Sequence, residues 1–330
     1  HDNDYGNVSI GAWKNNYLPF HWVSEFYSII IDNGGFDVII GNPPYVEKKT
    51  INYTIRGFET ASTNNLFAWC LERSYLLSRN AGYTGFIIPI SSFSTDKFDS
   101  LQKLVIKNFM VYISNYDDRP ARLFEGLEHI QLSIVITVPF SKEPVLHTTN
   151  CVKWQAIERP FTFDRVWYSL STNSTYLHSS IAKCSSEIEL DILRKIFTNK
   201  SIQTYMLQEG SVIYYTRKVH SFLNILNFVP QIIDSRGNIR NPSEQKTVSF
   251  ATKEKANIAL CVYNSTLFRW FLSSFSDCRN LNRREMLVFP LSLDSVSNEY
   301  TKELNNLSSS LMQNIRSEEH TSELQSRFGI

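Results

Sequence analysis

The alternation of apolar and polar positions divides the chain into two stretches of different rhythm. Up to about residue 140, helical and strand patterns follow one another, the order expected of an α/β sheet with covering helices. Phe20, Trp22, Val23, Phe26, Tyr27 and Ile30 recur at helical spacing, and Asn33-Gly34-Gly35 stops the run. Phe36-Asp37-Val38-Ile39-Ile40 is short, apolar and β-branched, which predicts a buried strand. Gly41 and two prolines end it abruptly. Leu66, Phe67, Trp69, Cys70, Tyr75 and Leu76 predict a helix over 65–79, broken by Asn80-Ala81-Gly82. A core strand is expected at Gly85–Ile90, a helix near 96–108, and strands at Val111–Ser114 and Leu132–Val138, the last in a hairpin.

Beyond residue 140 this rhythm fades. Residues 141–204 read as a connector holding an amphipathic helix at Ser186–Phe197. Residues 205–315 read as a second, mixed α+β unit rich in aromatics: Tyr214, Tyr215, Phe222, Phe228, Phe250, Tyr263, Phe268, Trp270 and Phe271. Between residues 201 and 290 there are 11 Lys or Arg against 6 Asp or Glu, a surplus of five. Such a surplus suits a surface that meets a polyanion, and Arg217, Lys218, Arg283 and Arg284 are its candidate contacts.

Composition narrows the class. With 42% hydrophobic and 20% charged residues over 330 positions, the chain is an ordinary globular sequence of about two domains. The formal net charge of +1 decides nothing, because a basic groove can be balanced by acidic surface elsewhere. No apolar run reaches the ~18 residues of a membrane span, so no membrane partner and a cytoplasmic location are expected. Cys70, Cys151, Cys184, Cys261 and Cys278 lack zinc spacing, so they are read as reduced thiols, with no metal site expected. The chain opens on His1, and an upstream part is expected to be missing. Residues 316–330 resemble the translation of a common sequencing adapter and are read as non-native.

The chemistry concentrates in Asn42-Pro43-Pro44-Tyr45, directly after the predicted strand and Gly41. That position is the carboxyl edge of an α/β sheet, where ligands bind. A conjugated amino group, such as N6 of adenine, is a poor nucleophile until its hydrogens are held. The Asn42 side-chain oxygen and the Pro43 carbonyl are two neutral acceptors suited to holding them. Consecutive prolines stiffen the loop and donate no N–H. Tyr45 offers a flat face for a base swung out of a duplex.

These residues, with their flanks, resemble one family: N6-adenine DNA methyltransferases of type II restriction–modification systems, in which catalytic and target-recognition parts share one chain. The likeness is densest at Gly34-Gly35-Phe36-Asp37-Val38-Ile39-Ile40-Gly41-Asn42-Pro43-Pro44-Tyr45-Val46. It continues through Asn65-Leu66-Phe67, Gly85-Phe86-Ile87-Ile88-Pro89, Phe124-Glu125-Gly126, Tyr214-Tyr215 and Asn264-Ser265-Thr266-Leu267-Phe268. The resemblance implies a Rossmann-like, S-adenosylmethionine-dependent sheet over 1–140, incomplete at its N-terminus, and a target-recognition domain over 205–315. It implies that Asn42, Pro43 and Tyr45 hold a flipped adenine in double-stranded DNA, with Phe124 on its other face, and that Asn65 and Phe67 lie near the methionine end of the cofactor. A nuclease, fused or separate, is compatible with it. The family's glycine-rich cofactor loop and ribose-binding acids have no counterpart in residues 1–41, so most of the cofactor site is expected upstream and the chain alone is expected to be inactive. Two alternatives remain: a protein glutamine N-methyltransferase, which faces the same conjugated-nitrogen problem, and a DNA-specificity protein without catalysis.

Overall fold

The computed structural model describes residues 9–17, 20–51, 55–107, 109–126, 129–139, 145–171, 177–219, 223, 225–233, 236, 238–240, 242 and 245–317. Phe222 and residues 318–330 of the adapter-like tail lie outside the described residues. The chain divides into two compact units, residues 1–174 and 175–330.

The first unit is built on a mixed six-stranded sheet: β1 (Phe36–Gly41), β2 (Ser78–Pro89), β3 (Phe109–Tyr116), β4 (Leu132–Pro139), β5 (Val145–Val152) and β6 (Ser169–Ser171), in the order β1-β2-β4-β3-β5-β6. β1 runs parallel to β2, and β3 parallel to β5, while β4 is antiparallel to both β2 and β3. The expected hairpin is thus present as β3–β4, with β4 set between β2 and β3. Residues 145–171, expected within a connector, supply two strands of this sheet. Their polar run Leu-His-Thr-Thr-Asn lacks the apolar alternation that marks a strand, and cross-strand bonds such as Asn115 Nδ2 to Thr149 O (2.9 Å) hold it in place.

Of the elements expected as helices, Phe20–Ile31 is not one continuous helix. A short α1 (Ile10–Tyr17) precedes it, then α2 (Trp22–Glu25) and a π-helical turn (Ser28–Asp32) flank Phe26, whose φ of −124° leaves the helical region. At that break Phe26 meets Phe36 at 5.3 Å between ring centres. The other two form as read: α3 (Leu66–Leu77), and α4 (Asp99–Lys107) after a 3-10 turn at Asp96–Phe98. The core they share with the sheet contains Phe67, Trp69, Leu71, Phe86, Ile88, Leu101, Val111, Ile113 and Val135.

The expectation that β1 is a buried strand is overturned. β1 is an edge strand, and Val38 and Ile40 are 59% and 78% exposed. Side chains alternate across a sheet, so both point to the face shared with exposed Tyr83 and Ile136, opposite the helix-covered face of Phe86 and Val135. At the foot of β1 the ladder is irregular: Phe36 pairs with Ser78 and Val38 with Tyr83. Two glycines make this possible. A Cβ on Gly35 (φ +126°) would lie 2.5 Å from the Arg79 nitrogen, and one on Gly82 would lie 2.8 Å from the Phe36 carbonyl oxygen.

The second unit contains α5 (Glu187–Ile196), capped by Ser186, which accepts from the Glu189 N–H. A four-stranded sheet follows, with β7 (Met206–Leu207), β8 (Ser211–Thr216), β9 (Ile225–Leu226) and β12 (Gln245–Phe250) in the order β7-β12-β8-β9, beside a two-stranded ladder of β10 (Ile232–Ile233) and β11 (Ile239–Arg240). Then come α6 (Lys253–Tyr263), α7 (Thr266–Phe275), α8 (Arg283–Val288) and α9 (Asn298–Ser317). Thr252 and Ser265 cap α6 and α7. Most of the aromatics in which this unit is rich are core. Tyr215, Phe250, Tyr263, Phe268 and Phe271 are buried together, and Phe271 meets Phe289 edge-to-face at 5.0 Å. Their burial by apolar area outweighs any advantage in presenting them to solvent. Among the described residues no helix is long and apolar enough to cross a membrane.

Candidate active site

β1 delivers the Asn-Pro-Pro-Tyr loop to the carboxyl edge of the sheet. Gly41 stands where β1 pairs with Phe86; a Cβ there would come within 3.3 Å of the Phe86 ring. Asn42 and Pro44 are exposed and Pro43 is buried, so the stiff loop is packed at Pro43 while Asn42 beside it stays accessible. Tyr45 folds back across the loop. Its hydroxyl lies 2.9 Å from Asn42 Oδ1 and 3.0 Å from the Ile87 carbonyl oxygen on β2. Its ring stands edge-to-face with Phe67 at 6.2 Å, and Phe67 rests on Phe98 at 5.2 Å. Burial pushes the Tyr45 phenol up to about 12, so its proton stays in place throughout the physiological range.

The chain after the motif is tied to α3. The Leu66 N–H, one of the orphan donors of the first turn, bonds the Val46 carbonyl at 2.9 Å, and Lys48 N–H bonds Asn64 O at 2.9 Å. Glu47 bonds Lys49 at 2.8 Å and Lys97 at 3.0 Å, and these cations lower its carboxyl to about 2. Deeper in, the buried Glu72 carboxylate of α3 accepts from Glu59 N (2.8 Å), Thr60 N (2.9 Å) and Thr60 Oγ1 (2.6 Å). It anchors the segment between the motif and α3. Asn65 and Phe67, expected near a cofactor, are buried: the Asn65 amide donates to Thr63 O at 2.8 Å, and Phe67 lies beneath Tyr45 at 2% exposure.

Phe124 is half-buried in the connection between β3 and β4. That connection leaves the same sheet edge as Asn42. It returns on β4, two strand positions from β1, about 10 Å at ~4.8 Å per strand. Arg159, which the sequence did not single out, pins it: Nη1 donates to Arg122 O at 3.0 Å and Nη2 to Leu123 O at 2.7 Å. No sequence pattern links positions 36 residues apart.

In the second unit, Arg217, Lys218 and Arg283 are exposed, and the fold draws them together. Leu281 N–H bonds Arg217 O at 2.7 Å, and Lys218 bridges Asn280, two residues before the cap of α8. This brings in Arg279, whose carbonyl accepts from Val219 N at 3.1 Å. Arg284 is used differently: its guanidinium bonds Glu285 Oε1 (3.2 Å), Ser180 Oγ (2.9 Å) and Phe275 O (3.3 Å) inside the unit. Among the described residues no cluster of three or more His, Cys, Asp or Glu side chains is placed to hold a metal.

Residues 4–120, which contain the whole of this loop, match the Eco57I restriction-modification methylase family. The chain is also similar to a Methanocaldococcus jannaschii protein provisionally described as a type II restriction enzyme and methyltransferase. The two are 26% identical over 316 residues, covering 86% of this chain and 25% of that protein. The chain therefore spans about a quarter of the length of this relative. A solved type IIL restriction–modification enzyme, MmeI, in complex with DNA covers 95% of this chain and 53% of its own at 11% identity and a TM-score of 0.49. A modification subunit of a type I restriction enzyme from Vibrio vulnificus covers 42% of this chain and 34% of its own at 16% identity and a TM-score of 0.30. At these TM-scores the structural likeness carries no weight for function.

Proposed function

We propose that this chain is the base-holding part of a site-specific DNA methyltransferase, which moves a methyl group from S-adenosylmethionine to N6 of an adenine swung out of duplex DNA. The observation that carries the reading is the exposed Asn42 amide at the carboxyl end of β1, held 2.9 Å from the Tyr45 hydroxyl. An adenine amino group placed there gives one hydrogen to Asn42 Oδ1 and the other to the Pro43 carbonyl, which turns its lone pair out of conjugation. The Tyr45 ring supplies a stacking face, and Phe124, on the loop pinned by Arg159, closes on the base from the β4 side. S-adenosylmethionine supplies an electrophilic sulfonium methyl. Asn65 and Phe67 are buried and give that donor no surface, so the task of this chain's own residues is to orient the base.

In this reading the first unit is a Rossmann-like methyltransferase sheet. Target recognition falls to the second, where Arg217, Lys218 and Arg283 meet phosphates and Arg284 braces the loop beneath them. The test is methylation of duplex DNA by the whole polypeptide that carries this chain, followed by digestion to nucleosides and mass spectrometry. N6-methyladenine that disappears in Asn42→Ala, with duplex affinity retained, is the expected result. A methylated cytosine, a methylated protein glutamine, or turnover of Asn42→Ala above a tenth of wild type refutes the reading.

A further inference from the structure

The two contacts of the Tyr45 hydroxyl pose a problem of proton count. One hydroxyl carries one proton, yet it lies 2.9 Å from Asn42 Oδ1 and 3.0 Å from Ile87 O, and both of those atoms are acceptors. A main-chain carbonyl can only accept. A side-chain amide can be turned by a half-turn to present its N–H instead, since the two ends are nearly the same size. One arrangement satisfies both short contacts: the Tyr45 hydroxyl donates to Ile87 O, and Asn42 Nδ2–H donates to the Tyr45 oxygen. The phenol is held protonated by burial, so it always has this proton to give. In that arrangement Asn42 Oδ1 necessarily faces away from Tyr45, on the open side of an exposed residue. Pro43, next in the chain, has no N–H to compete for it.

We propose that the Tyr45 hydroxyl is a positioning group: tethered to the Ile87 carbonyl on β2, it selects which end of the Asn42 amide is presented to the target amino group. The proposal rests on the adenine-methyltransferase reading and adds to it a task for Tyr45 separate from stacking. Without the hydroxyl the amide has no reason to prefer Oδ1 outward. The reversed orientation places N–H against N–H of the substrate, which repels where it should accept. The Ile87 tether also matters because it ties the amide to the sheet and not to the loop alone.

Tyr45→Phe in the whole polypeptide tests this, because it keeps the ring and its edge-to-face contact with Phe67. The single-turnover methylation rate should fall about tenfold or more. The dissociation constant for duplex DNA, and the fluorescence of 2-aminopurine placed at the target position, should stay within twofold, since base capture depends on the ring. Rates are referred to the fraction of protein active in DNA binding, so partial unfolding does not imitate the effect. A rate within twofold of wild type overturns the positioning role. So does a fall in rate that is matched by loss of the 2-aminopurine signal, which would assign the effect to a displaced ring. Wild-type protein that forms no N6-methyladenine overturns the functional reading itself, and the positioning role with it.

Discussion

Removing the Arg159 guanidinium should open the loop that carries Phe124 without unfolding the protein. Arg159 makes two charge-assisted hydrogen bonds to that loop, at 3.0 and 2.7 Å, both to main-chain carbonyls. Buried bonds of this kind contribute about 1.5–3 kcal/mol each. Arg159 is exposed, and solvent screening reduces the pair to roughly 1.4 kcal/mol together, or about tenfold in the local opening equilibrium. The chain provides its own reporter. Arg119 is followed by Pro120, which blocks trypsin, so the susceptible bond in the loop is Arg122–Leu123, and the carbonyl of that bond is one of the two that Arg159 holds. Proteolysis of a locally opened segment tracks the population of the open form when reclosing is fast. Arg159→Ala should therefore raise the initial rate of tryptic cleavage after Arg122 about tenfold, read by mass spectrometry, while the main thermal transition moves by no more than a few degrees. Cleavage within twofold of wild type would show that the loop is held by something else. A collapse of the thermal transition would show that Arg159 supports the whole unit.

Three further outcomes follow from the same geometry. Glu72→Ala leaves two main-chain donors and a threonine hydroxyl without their buried acceptor, and should cost the first unit about 3 kcal/mol, or roughly 6–12 °C in melting temperature by calorimetry; an unchanged Tm refutes the anchoring role. Because Glu47 is lowered to about 2 by Lys49 and Lys97, its ion pairs add to stability above its unfolded value near 4.5 and are lost as pH falls from there towards 2. Carboxyl NMR should find it titrating far below other glutamates, and Lys97→Ala should move it back part of the way. Replacing Arg217 and Arg283 together with alanine should weaken duplex binding and reduce the slope of log affinity against log salt by about two; an unchanged slope would remove these cations from the DNA surface.

The sequence predicted local elements better than their surroundings. Helix 66–77, helix 187–196 and a strand ending at Gly41-Asn42-Pro43-Pro44-Tyr45 were all legible, because each is specified by neighbours a few residues apart. The burial of β1 was not. A β-branched apolar run looks the same at the edge of a sheet as at its centre, and only the strand order reveals that one side of Phe36–Gly41 has no partner among the described strands. The place of the second unit's aromatics was not legible for a related reason: periodicity cannot tell a ring that faces a core, such as Phe268, from one that faces a ligand. The grip of Arg159 on Arg122 and Leu123, and of Tyr45 on Ile87, joins positions distant along the chain, and no local pattern marks either.

The irregular foot of β1 has a consequence for the far end of the strand. Three residues of β1 there, Phe36 to Val38, face six of β2, Ser78 to Tyr83, and from that point the ladder runs in step up to Gly41 and Phe86. The strand behaves as a ruler whose zero mark is the pair of glycines at its base, and Asn42 is read off at the other end. A slip of one two-residue repeat would carry the amide about 6.6 Å along the sheet, out of reach of any partner set by Ile87. A side chain added at Gly35 or Gly82 should therefore be felt as a calibration error in the placement of the amide, although neither glycine lies anywhere near it along the strand.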